Sequence, residues 1–99
     1  MSEVKFKDPH VFISGVPYPV KFGFLSFSIF NDQGYEMSDC KKASVLLRLY
    51  HSAILAGCIR NNVPDITWAE FTSKLDDEDN KDVFNDIKAL YEADNTPKK

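Results

Sequence analysis

Residues 38–61 constrain the fold more than any other stretch. They read SDCKKASVLLRLYHSAILAGCIRN, with no proline and a single glycine, Gly57. Wound as a helix, Val45, Leu46, Leu47, Leu49, Tyr50, Ile54, Leu55, Cys58 and Ile59 cover most of the circumference. Only Lys41, Ser44 and Arg48, then His51 and Ser52, repeat at a spacing that keeps one polar line. A helix apolar nearly all round must be enclosed by other elements. The pattern therefore predicts a central helix over about residues 39–61, capped by Ser38 or Asp39 and wrapped by the rest of the chain or by a partner.

Ninety-nine residues make one domain with a modest core. The expected fold is mainly α within the α+β class. A β-hairpin over residues 10–22 precedes about four helices over 24–93, and 1–9 and 94–99 are expected as flexible ends. In the hairpin, Ser14-Gly15 supply the tight turn, and Val16, Tyr18, Val20 and Phe22 share one parity on the return. Pro17 and Pro19 cannot donate to a ladder, so the second strand lies at an edge or pairs on alternate residues. Residues 24–33 fit either a strand or a helix. Their low β-branched content and a stop at Gly34 favour the helix.

After Pro64, Thr67 and Glu70 stand three apart as in a capping box, with Ile66 and Phe71 placed as a hydrophobic staple. A short helix is predicted over 68–75, with Trp68, Phe71 and Leu75 inward. An acidic run, 76–79, leads to a last helix over about 80–93. Its Val83, Phe84, Ile87, Leu90 and Tyr91 recur at the helical period.

Several chemistries lack their residues. The net charge of −3 argues against a nucleic-acid partner, which selects for a basic face. His51 and Cys58 are seven positions apart, roughly 10 Å along a helix, too far for a nucleophile–base dyad. His51 is expected on the solvated edge of the helix. No Cys or His pair has metal-ligand spacing, and no cofactor motif occurs. From Asp77 the acidic run starts like a calcium loop, but Lys81 and Asp82 occupy its fifth and sixth places. No enzymatic activity is expected. Cys40 and Cys58, eighteen residues apart on one predicted helix, lie roughly 27 Å apart and cannot pair. Two free thiols fit a reducing compartment, and no stretch reads as a signal peptide or a membrane span. A cytoplasmic protein is expected.

Thirteen aromatic residues are many for so small a core. Either all are internal, or some form a contact face for a partner or a second copy. The residues expected on such a protein-binding face are Phe24, Phe27 and Phe30 of the first helix with Trp68 and Phe71.

The order of elements also resembles a family. A hairpin ending in Tyr18-Pro19-Val20-Lys21-Phe22 leads to a first helix. A long helix follows with Tyr50-His51-Ser52-Ala53-Ile54-Leu55-Ala56-Gly57-Cys58-Ile59-Arg60, then Pro64-Asp65-Ile66-Thr67-Trp68-Ala69-Glu70-Phe71 and an amphipathic helix. Over residues 11–93 this is similar to the tail assembly chaperones of long-tailed bacteriophages and prophages. Two features depart from that pattern: the phenylalanine-rich first helix, and Trp68 at a position more often aliphatic. The resemblance implies a self-associating assembly factor of the host cytoplasm. Its client would be the tape measure protein, kept soluble and handed over as tail tube protein polymerises around it. It also implies a longer frameshifted product, for which the Lys98-Lys99 codons are the candidate slippery run. The alternative is a small helical adaptor or regulator that binds a host or bacterial protein through the same aromatic surface.

Overall fold

The computed structural model describes residues 5–95, with side chains described to residue 93. The Lys98-Lys99 pair lies outside the described residues. Strands β1 (His10–Ile13) and β2 (Val16–Pro19) form an antiparallel hairpin. Helices α1 (Phe24–Asp32), α2 (Ala43–Asn61), α3 (Trp68–Leu75) and α4 (Val83–Asn95) follow, giving an α+β fold. Short 3-10 turns at Met37–Lys41 and Glu78–Asn80 join them.

Helix α2 is the axis of the molecule. Residues 49–54 are all buried, and consecutive buried residues can only mean that neighbours lie on every side. Phe22, Phe84 and Tyr91 ring Tyr50, whose hydroxyl pKa burial pushes up to about 12. Ile87 and Val83 complete the inner stripe of α4. The helix begins at Ala43, four residues later than the sequence pattern predicts. Asp39 does not cap it: its Oδ2 accepts from the Glu36 N–H at 2.9 Å inside the preceding 3-10 turn, and Lys42 is extended. The far end stops as expected, with Asn62 left-handed at φ 54° and the Val63 N–H on the Cys58 carbonyl.

The hairpin turn is built from Ser14 at φ 52° and Gly15 at φ 80°, the double positive φ of a type I′ turn. The register pairs Val11 with Tyr18 and Ile13 with Val16. The Val20 N–H donates to the Pro9 carbonyl at 2.7 Å, so odd-numbered residues of β1 hold the ladder. Pro17 and Pro19 therefore turn their missing N–H away from β1. That outer edge of β2 lies on α2, where a bare N–H would find no partner. The first N–H it offers, Lys21, donates to the Ala53 carbonyl at 3.0 Å. Gly57 lets the two backbones meet: a Cβ there would overlap the Pro19 carbonyl group and lie 2.8 Å from the Val20 nitrogen.

Two polar clasps hold distant segments to this frame. Asp8, expected in a flexible end, is buried against α2. Its carboxylate accepts from Arg60 Nε at 2.9 Å, Arg60 Nη2 at 3.2 Å and Asn61 Nδ2 at 3.0 Å. The Arg60 guanidinium outweighs the burial and holds the Asp8 carboxyl below its ordinary pKa. At the hairpin tip, buried Asn80 accepts the Ser14 N–H at 2.7 Å and donates to Ser14 Oγ at 3.0 Å and the Lys74 carbonyl at 2.9 Å. The acidic run 76–79 ends in this latch.

Candidate protein-interaction surface

Helix α1 presents phenylalanines in three different directions. Ser26 and Phe30, one turn apart, are fully buried and fix the helix against α2. Ser26 also closes the N-terminus: its Oγ accepts the Gly23 N–H at 2.8 Å and its hydroxyl donates to the Gly23 carbonyl at 2.9 Å. Phe27 is half-buried against the core. Phe24, in the first turn, is 96% exposed, with Leu25 beside it also exposed. That turn is therefore held rigidly from within and left apolar on its outside.

Of the five aromatic residues expected on one contact face, Phe30 and Phe71 belong to the core instead, each at 0% exposure. A helix with apolar residues on every side gives no internal signal of which side docks, and Phe30 is the ring that faces α2. Phe71 is the inner half of the staple with Ile66, which is buried as well. Trp68 is half-buried and already occupied: the Arg48 guanidinium lies 3.8 Å above its ring centroid. Its edge meets His51 at 5.6 Å.

These rings form a continuous internal path. Phe30 stacks on Tyr35 at 5.6 Å, Arg48 lies 5.9 Å from Tyr35, and Trp68 leads on to His51 and Phe71. His51, expected at the solvated edge, is buried. Its Nε2 is 2.7 Å from the Ile66 carbonyl oxygen, which can only accept, so Nε2 carries the proton. Burial lowers the His51 pKa despite that bond, favouring the neutral ring that stacks 5.4 Å from Phe71. The polar line along α2 thus runs from an exposed Ser44 through a half-buried Arg48 to an interior end at His51 and Ser52. Ser52 donates to the Arg48 carbonyl and accepts from Gln33 Nε2.

The helix-start signal at Thr67 is realised. Its Oγ1 accepts the Glu70 N–H at 3.1 Å, and its hydroxyl donates to the Glu70 carboxylate at 3.4 Å. Cys58 is a buried hydrophobe whose thiol burial pushes up to about 11, the reverse of an activated nucleophile. Among the described residues no group of three His, Cys, Asp or Glu could hold a metal ion, and no helix is long and apolar enough to cross a membrane.

What stands free is the first turn of α1. The other exposed large apolar residues, among them Phe12 and Ile59, come from the hairpin, the 37–41 turn and the end of α2. No family model, no curated protein and no solved structure matches this chain.

Proposed function

We propose that this protein is a tail assembly chaperone that binds the tape measure protein in the host cytoplasm and keeps it soluble until the tail tube protein encloses it. Phe24 carries the reading. A phenylalanine left almost wholly in water forgoes about 1.5–3 kcal/mol of burial, which a partner with an apolar stripe can recover. The turn around it is pinned by buried Ser26 and its two hydrogen bonds to Gly23, so little ordering cost offsets the gain. One such contact is weak, which suits a client that must later be released. Self-association multiplies it along a long helix.

Co-expression with a tape measure protein tests this. Phe24→Asp should leave the far-UV circular dichroism and the melting temperature unchanged, because a surface substitution shifts stability by within about 0.5 kcal/mol. The client should then move to the insoluble fraction. A client that stays soluble with Phe24→Asp, or is never solubilised by the natural chain, refutes the proposal. Phe30→Asp is the contrasting variant and should unfold the protein outright.

A further inference from the structure

The first half of helix α3 is anchored at one imidazole. Phe71 is the only buried residue of α3, and its ring stacks 5.4 Å from His51. Trp68, half-buried in the first turn, meets the same imidazole edge-on at 5.6 Å. The Ile66 carbonyl, just before the helix, accepts the His51 Nε2 proton at 2.7 Å. Residues 63–67 form neither helix nor strand. The far end of α3 is tied by the bond from Asn80 Nδ2 to the Lys74 carbonyl at 2.9 Å. Two charged groups act on the imidazole. Arg48, one turn earlier on α2 and seated 3.8 Å over Trp68, opposes a second positive charge. Asp65, in the segment entering α3, favours one. Helix α3 itself meets the imidazole with uncharged rings. Burial and Arg48 prevail over the Ile66 bond and Asp65, so the closed joint holds His51 neutral. Acid works against that joint, because an imidazolium is better solvated once the two rings have moved off it.

We propose that the joint between α2 and α3 is an acid-opened latch, in which protonation of His51 releases Ile66, Trp68 and Phe71 as a unit while α2 and α4 stay folded. The segment swings at residues 63–65 about the tie to Asn80. It uncovers two rings and an aliphatic side chain that neutral pH keeps packed on α2. The latch uses none of the residues of the Phe24 turn, so it does not depend on the chaperone reading.

Amide hydrogen exchange of the full chain, followed by NMR from pH 7.5 to pH 5, tests this. The amides of residues 71–75 should exchange through an opening far more frequent than the one that frees α2. Their protection factors should fall as pH drops below 6.5, the ordinary histidine value. The fall at pH 5 should be roughly 3- to 30-fold, the upper figure being the limit for an imidazole that titrates at 6.5 when open and stays neutral when closed. His51→Gln should abolish the fall. Arg48→Met keeps a side chain on Trp68 but removes the positive charge, and should shrink the fall, which a packing role alone would not do. The Arg48 variant carries the test should His51→Gln fail to fold. Amides of α3 that exchange only together with those of α2, protection that holds to pH 5, or an undiminished fall in either variant each overturn the proposal.

Discussion

Replacing Gly57 by alanine separates a local argument from a tertiary one, because the two give opposite signs. Alanine is the better helix former by about 1 kcal/mol, so α2 alone would gain stability. In the folded chain the new Cβ would overlap the Pro19 carbonyl group and sit 2.8 Å from the Val20 nitrogen. Backbone cannot swing aside as the end of a flexible side chain can, so β2 must retreat from α2. Overpacking of this kind costs about 1–3 kcal/mol. The retreat also stretches the 3.0 Å bond from the Lys21 N–H to the Ala53 carbonyl, worth about 1 kcal/mol. Set against the helical gain, the balance is about 1–3 kcal/mol destabilising. At this chain length that lowers the melting temperature by roughly 5–15 °C. Thermal and urea unfolding followed by circular dichroism at 222 nm measure it. A variant as stable as the natural protein, or more stable, refutes the claim that β2 rides directly on α2 at this glycine.

Asn80→Ala leaves the Ser14 N–H and the Lys74 carbonyl without their partner in a part-buried site, and should cost about 1–2 kcal/mol, read as a lower urea midpoint. A loss under about 0.5 kcal/mol would mean that the latch is not closed in solution. The pKa of His51 is lowered in the fold, so the unfolded chain takes up its proton first as acid is added. Stability is therefore full above the ordinary histidine value of 6.5 and declines as pH falls from there through the lowered folded value. Melting temperatures from pH 8 to pH 5 should show this decline, and His51→Gln, which keeps a donor for the Ile66 carbonyl, should flatten it. The lowered carboxyl of Asp8 gives the same sense of change further down. Its contribution holds above the ordinary value of 3.8 and is lost as pH falls through the folded pKa, and Asp8→Asn should remove that acid limb.

The sequence by itself determined the elements whose signals are local. Apolar residues on every side of residues 45–59 require a central, enclosed helix, and the structure encloses it. Ser14-Gly15 set the hairpin turn, Thr67 with Glu70 the start of α3, and the period of Val83, Ile87, Leu90 and Tyr91 the inner side of α4. Each rests on backbone preference or on residues within a turn or two of one another. Only tertiary structure decided which aromatic rings stay outside. Helix α1 carries phenylalanine in three directions, and its docking on α2 hides Phe30 while leaving Phe24 in water. The same holds for the clasps at Asp8 and Asn80, whose partners are 52 and 66 residues away, and for Gly57, which matters only because a strand crosses it. A pattern in the chain records what a segment can bury. The approach of a second segment determines which part of it is buried.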